Sequence, residues 1–219
     1  MAELRAVVFD FDGVLVDSVP VYREAVARAA GEAGVLGAGM ELIAAADTRT
    51  VARRIIERYN LDVDVEVLAN QIEQFALDRL LMAPRVVPGA RELLESVRQA
   101  GLRTAIASLA PRRNIDGVLR QEGLQGSFDA IVTIENIERI KPDPEVYLKA
   151  AEALDVLPEE CVAIEDSDRG VSSALAAGMT AVAVATTLPA NRLTSAHLIV
   201  PTLADVTLSV LHEIHRRNG

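Results

Sequence analysis

Short apolar runs alternate with longer amphipathic stretches along this chain, and that alternation limits the fold more than any other feature. The runs are Leu4–Phe9, Leu102–Ala107, Ala130–Val132, Cys161–Ile164, Ala181–Ala185 and, most weakly, Leu198–Val200. They are too short for helices, and most lack the polar alternation of a half-solvated strand. They read as strands buried on both faces. Between them, Ala90–Ala100, Pro111–Glu122, Pro144–Leu154, Arg169–Ala177 and Ala204–His215 carry the periodicity of helices. Pro111 and Pro144 fit first-turn positions, and Gly101 and Gly178 follow helices as stops. Strands separated by helices imply an α/β fold, a doubly wound parallel sheet covered on both faces.

One interval breaks the alternation. From Asp17 to Pro84 there is no convincing strand, while Val19–Ala33, Thr48–Tyr59 and Val65–Leu81 read as amphipathic helices. A crossover to the next parallel strand needs only one helix. The surplus reads as an inserted all-α cap, residues 17–84, with residues 1–16 and 85–219 forming the α/β core. Asp17–Pro20 and Met82–Pro88 are the expected linkers.

Composition narrows the class. Half of the 219 residues are hydrophobic and a quarter charged, as in an ordinary globular protein, and the net charge of −10 argues against a nucleic-acid partner. No apolar run approaches a membrane span, and no signal peptide is visible at the start. A single cysteine, Cys161, excludes an intrachain disulfide and reads as a small buried hydrophobe; a reducing, cytoplasmic setting is expected.

In a doubly wound sheet, ligands bind beyond the carboxyl ends of the strands. Those ends carry Asp10, Ser108, Thr133 and Glu165-Asp166. The first is part of Asp10-Phe11-Asp12-Gly13, whose period-two spacing sends both carboxylates to one side if the strand continues. Like charges that close call for a cation between them. Only two of the 22 basic residues are lysines, and one of them, Lys141, precedes the stiff segment Pro142-Asp143-Pro144. The chemistry is coherent. Magnesium takes carboxylate oxygens, here from Asp10 and Asp166, with the Asp12 carbonyl as a third donor. A carboxylate can attack phosphorus, a second can move the proton, and Ser108 and Lys141 can hold the transferring group.

These four segments, Asp10-Phe11-Asp12-Gly13, Ile106-Ala107-Ser108, Lys141-Pro142-Asp143-Pro144 and Ile164-Glu165-Asp166-Ser167-Asp168-Arg169-Gly170, occur in the order found in the haloacid dehalogenase superfamily. The chain resembles its phosphatases and phosphomutases with a small helical cap, the group that includes phosphoglycolate phosphatases and hexose-phosphate mutases of the β-phosphoglucomutase type. The resemblance implies a Rossmann-like core and a Mg2+-dependent phosphatase acting on a small phosphorylated metabolite through an aspartyl-phosphate. It implies Asp10 as nucleophile, Asp12 as acid and base, and Ser108 and Lys141 as phosphoryl stabilisers. The implied metal group is Asp10, Asp12 and Asp166, with Glu165 as a supporting or alternative ligand. Arg49 in the cap, Leu109 after Ser108, and Asn114 with Arg112 nearby are the candidate substrate contacts. A monomer or homodimer is expected.

Within that family, Asp12 favours phosphoryl transfer, since dehalogenating members lack an acid two residues past the nucleophile. The mutases carry a histidine twelve residues past it, where this chain has Tyr22. The absence of any lysine between Asp17 and Pro84 removes the Schiff-base lysine of phosphonate-cleaving relatives. Ala44-Ala45-Ala46 stands where related caps often have a glycine. The alternatives are a hexose-phosphate mutase and, outside enzymes, a phosphometabolite-binding domain. Asp168 and Arg169 read as helix-start residues with dipole or solvent roles, and His212 and His215 as surface or dipole residues of a terminal helix.

Overall fold

A computed structural model describes residues 2–34, 47–83 and 85–218. The chain divides into two compact units, Met1–Asp17 with Val86–Gly219, and Ser18–Arg85. Ala44-Ala45-Ala46 and Pro84 lie outside the described residues.

In the first unit, six parallel strands form one sheet: β1 (Ala6–Phe9), β2 (Arg103–Ala107), β3 (Ala130–Val132), β4 (Cys161–Glu165), β5 (Thr180–Val184) and β6 (Leu198–Val200), in the order β3-β2-β1-β4-β5-β6. The order reverses at β1. Helices α4 (Ala90–Gln99), α5 (Arg112–Gln121), α6 (Glu145–Ala153), α7 (Asp168–Ala176) and α8 (Leu208–Asn218) connect and cover the strands. Helix α6 packs on β1, β2 and β3, and α7 on β4 and β5. Against them the strands present small side chains: Ala6 and Val8, Ala105 and Ala107, Cys161 and Ala163, Ala181 and Ala183. Alternation places the bulkier Val7, Phe9, Ile106, Val162, Ile164 and Val182 on the other face, where α4 packs on β2 and α8 on β4 and β5. Cys161 is buried in the alanine-rich core, and burial pushes its thiol up to about 12.

The Ser18–Arg85 unit holds α1 (Val19–Glu32), α2 (Thr48–Tyr59) and α3 (Val65–Met82), with α1 and α2 both packed on α3. Asp47 and Asp64 cap α2 and α3 by accepting from Thr50 N (3.1 Å) and Glu66 N (2.8 Å). Inside this unit Glu73 of α3 is buried and accepts hydrogen bonds from Tyr22 of α1 (3.3 Å) and Thr48 of α2.

Local differences from the sequence reading have physical causes. Pro111 and Pro144 sit at the N-cap, one residue before their helices. The last helix begins at Leu208, because Leu203–Asp205 forms a short 3-10 turn in which Asp205 accepts from Thr202 N (3.0 Å). His215 is buried, with Nε2 3.2 Å from Ala2 O, so it ties the terminal helix to the start of the chain instead of facing solvent.

Candidate active site

Sheet register brings the site together. Phe9 lies level with Ile106 on one side and Ile164 on the other, so Asp10 emerges between Ala107 and Glu165. The pairing continues one residue past β1 through Asp10 N donating to Ile164 O (2.9 Å). The chain then turns sharply: Leu15 N and Val16 N both donate to Phe11 O (3.0 Å), and Gly13 N donates to Val16 O (2.7 Å). Gly13 has a φ of +79°, and a Cβ there would overlap the Asp166 carboxylate. Only glycine lets the turn lie against that side chain. A Gly13→Ala substitution should cost about 1–3 kcal/mol, from left-handed strain plus overpacking, as a lower urea midpoint at unchanged slope.

Lys141 reaches the site from the loop between β3 and α6. Its Nζ donates to Asp10 Oδ1 (2.7 Å), Glu165 Oε1 (2.6 Å) and Ala107 O (3.0 Å), which uses all three ammonium protons. Burial alone would lower its pKa, but the Asp10 and Glu165 carboxylates outweigh burial and hold it above the ordinary lysine value. The Lys141 backbone is held as well: the Arg169 guanidinium donates to Lys141 O (Nε, 3.0 Å), and Ser173 Oγ donates to Asp143 O (2.6 Å). Arg169 therefore positions the lysine loop, unlike the solvent or dipole role expected for a helix-start residue.

Glu165 is fully buried, and both its oxygens are engaged. Oε1 accepts from Lys141 and from the Tyr147 hydroxyl (2.7 Å); Oε2 accepts from Asp166 N (3.1 Å), Ser167 N (3.4 Å) and Ser167 Oγ (3.1 Å). Ser167 also caps α7 by accepting from Gly170 N (3.1 Å). A Cβ on Gly170 would overlap the Glu165 carboxylate, so glycine is what allows the carboxylate to rest on the first turn of α7.

Asp10, Glu165 and Asp166 each place a carboxylate oxygen within 4.8 Å of the others, and all three are buried. The Asp12 carboxylate falls outside that group but raises the pKa of both Asp10 and Asp166. Burial, reinforced by Glu165, Asp166 and Asp12, pushes Asp10 well above the usual carboxylate range against the opposing pull of Lys141. Burial and then Glu165 push Asp166 up to about 7, although the Thr187 hydroxyl bonded to it acts the other way. Burial and the charges of Glu165 and Asp10 likewise hold the Tyr147 phenol well above its ordinary value.

The other candidates sit around this centre or in the second unit. Ser108 follows β2, fully buried; its N donates to Val132 O (3.0 Å) and its Oγ accepts from Ala110 N (3.0 Å), which shapes the turn before α5 and leaves the O–H able to donate. Leu109 is half-buried in that turn, and Asn114 is buried in the first turn of α5. Arg112 is exposed and paired with Asp116 (2.9 Å). Arg49 lies in the Ser18–Arg85 unit, paired with Glu66 (2.8 Å). Tyr147 and Thr187 are absent from the sequence reading, and Arg169 is there only as a helix-start residue. Thr186-Thr187 follows β5, so the signal for Thr187 is the same strand-end position that marks Asp10, Ser108 and Asp166, and Thr186 Oγ1 donates to Gly13 O (2.7 Å).

The family model described as haloacid dehalogenase-like hydrolase matches residues 4–178. The chain belongs to the haloacid dehalogenase-like hydrolases. Among curated relatives of this hydrolase, a phosphorylated carbohydrates phosphatase from Thermotoga maritima is 36% identical over 188 residues, covering 80% of this chain and 82% of the relative. A β-phosphoglucomutase from Bacillus subtilis is 30% identical, covering 96% and 95%. The fold matches that of CbbY from Rhodobacter sphaeroides, solved in complex with phosphate, with a TM-score of 0.86 at 23% identity over 95% of this chain and 99% of that one. The doubly wound α/β class expected from the alternation of strands and helices is the fold found. Among the described residues, no helix is long and apolar enough to cross a membrane.

Proposed function

We propose that this hydrolase is a Mg2+-dependent phosphatase of small phosphorylated carbohydrates, working through a phosphoryl group carried on Asp10. The observation that carries the reading is the buried contact of Lys141 Nζ with Asp10 Oδ1 at 2.7 Å, beside two further buried carboxylates. A nucleophile that must meet a phosphate dianion needs fixed positive charge next to it, and Lys141 supplies it. The 36% identity to a phosphorylated carbohydrates phosphatase supports the substrate class.

In the proposed cycle an Asp10 oxygen attacks phosphorus and the P–O bond to the sugar breaks, while the Asp12 carboxyl gives its proton to the departing alkoxide. The Asp12 carboxylate then takes a proton from water, whose oxygen attacks phosphorus. Phosphate leaves and Asp10 regains its carboxylate. Lys141 and the Ser108 hydroxyl hold the transferring oxygens through both steps. The Ser18–Arg85 unit is assigned as the inserted cap, with Arg49, Leu109 and Asn114 as substrate contacts.

The donor set fits magnesium. Three buried carboxylates face a single lysine, and burial drives Asp10 and Asp166 toward protonation, a cost that a divalent cation on hard oxygen ligands offsets. Asp10 and Asp166 are the ligands assigned, with the Asp12 carbonyl. Glu165, whose two oxygens already take five donors, is assigned to hold Lys141. The bound ion would supply charge neutralisation at the phosphoryl oxygens.

A pH dependence follows. With Asp166 at about 7 in the folded metal-free protein and near 3.8 in the unfolded one, the folded state binds the proton more tightly. The stability that Asp166 contributes is therefore fully present below about pH 4 and is lost as pH rises toward about 7. Metal-free protein should melt lower at pH 8 than at pH 5.5, and Mg2+ should raise the melting temperature more at pH 8 than at pH 5.5. Equal shifts at both pH values would remove Asp166 from the metal site.

The functional test is phosphate release from sugar phosphates, phosphoglycolate and nucleotides, with and without Mg2+, run beside a glucose 1-phosphate isomerisation assay. Mg2+-dependent release from sugar phosphates is expected. The mutase reading is favoured by the B. subtilis relative, but Tyr22 stands at the mutase histidine position, and a phenol bonded to Glu73 is a poor proton carrier near neutral pH. Isomerisation without release would establish the mutase instead, and silence on the whole panel would favour a binding domain.

A further inference from the structure

Two carboxylates compete for one ammonium group in this site. Lys141 Nζ lies 2.7 Å from Asp10 Oδ1 and 2.6 Å from Glu165 Oε1. If Glu165 kept its full negative charge for the lysine, it would draw Lys141 away from Asp10 and from the phosphoryl group that Asp10 receives. The Glu165 oxygen nearest the lysine is the same one that accepts the Tyr147 O–H, at 2.7 Å. Two donors share the lone pairs of Oε1, and three more occupy Oε2, so the carboxylate is fixed at both ends. Tyr147 is fully buried in the first turn of α6, packed in the core beneath β1 and β2, and the centroid of its ring lies 5.0 Å from Lys141 Nζ. A phenylalanine would fill that volume and keep the ring contact. What it would lack is the hydroxyl that donates to Glu165.

We propose that the Tyr147 hydroxyl is a positioning group for phosphoryl transfer: by bonding Glu165 Oε1 it fixes that carboxylate and moderates its hold on Lys141, which keeps the lysine charge directed at Asp10. The role in turnover rests on the phosphatase reading above; the coupling of Tyr147 to Lys141 does not. Tyr147 touches no reacting atom and acts through Glu165. The bond is to a charged, water-excluded partner, the class of hydrogen bond with the larger energetic consequence. Because the effect is on the charge facing the transferring group, it belongs to the chemical step and not to substrate capture.

The test is the Tyr147→Phe protein, read in two ways. In steady-state hydrolysis of a sugar phosphate, kcat should fall about tenfold with KM little changed, beside the drop of a few degrees in melting temperature that loss of one buried hydrogen bond brings. A purely structural hydroxyl would lower the melting temperature by the same amount and leave kcat alone. The second readout needs no turnover. The chain has two lysines, Lys141 and Lys149, so 15N-lysine labelling gives two side-chain ammonium signals, and Lys149 is half-buried and paired with Glu145 (3.0 Å), not with Glu165. Tyr147→Phe should move the Lys141 signal and leave that of Lys149 in place. An unmoved Lys141 signal, or an unchanged kcat in an active enzyme, overturns the proposal. A wild type that releases phosphate from no ester defeats the phosphatase reading instead, and the Lys141 signal still decides whether Tyr147 positions the lysine.

Discussion

Asp10→Asn should lower phosphate release at least about a thousandfold while the protein stays folded. Asparagine keeps the size of the side chain and can still accept from Lys141, so the pairing of β1 with β4 and the turn at Gly13 have no reason to change. It lacks the anionic oxygen that attacks phosphorus. It also removes a carboxylate that burial first, and then Glu165, Asp166 and Asp12, push well above the usual range, so the metal-free variant should be no less stable than the wild type at pH 8. Circular dichroism with a urea melt checks the fold, and released phosphate checks the rate. Turnover near the wild-type level would move the nucleophile elsewhere.

Lys141→Ala should be the most destabilising substitution at the site. It strips the buried Asp10 and Glu165 carboxylates of their shared cation, and removing one member of a buried ion pair costs about 3–5 kcal/mol. Ala107 O loses its donor as well. The loss should depend on pH in a definite direction. Without the lysine, whose charge pulls both down, Asp10 and Asp166 are pushed further up, so the folded state favours their protonated forms. The penalty is small in acid, where they are protonated in both states, and grows as pH rises. Urea melts at pH 5.5 and pH 8 should show the larger deficit at pH 8, and activity should be lost at both. An equal, small deficit at both pH values would mean that Lys141 carries no such burden.

Parts of this architecture are legible in the chain because they depend on local pattern. Val7-Val8-Phe9 and Cys161-Val162-Ala163-Ile164 announce buried strands, and the residue that ends each strand lands at the sheet edge that parallel pairing gathers together. Asp10, Ser108 and Asp166 could be grouped on that ground alone. Lys141 needed the further clue of its rarity and its stiff Pro-Asp-Pro neighbour. What escaped depends on contacts through space. Tyr147 stands six residues past Lys141 at a position indistinguishable from any core aromatic of a helix, and only the packing of α6 beneath β1 and β2 puts its hydroxyl on Glu165. Arg169 looks like a solvated helix-start residue until its guanidinium is seen on the Lys141 carbonyl. Glu165 reads as a supporting or alternative ligand beside Asp166; what the linear pattern does not carry is that Gly170 lets it lie back on α7, where it takes five donors. In the helical unit, Glu73 sits on a mostly polar stretch of α3, and nothing in the linear pattern says that Tyr22 and Thr48 converge on it.

The central claim is that Asp10 carries the phosphoryl group, and the most direct measurement is to catch it there. An Asp12→Ala protein should still be phosphorylated by p-nitrophenyl phosphate, because a nitrophenolate leaves without a proton, but should be slow to release the phosphoryl group to water. Rapid mixing should then give a burst of one nitrophenolate per active site, and acid quenching followed by peptide mass analysis should find one phosphoryl group on the peptide containing Asp10. A phosphoryl group on another residue, or steady hydrolysis at the wild-type rate with no burst and no modified peptide, would contradict the account.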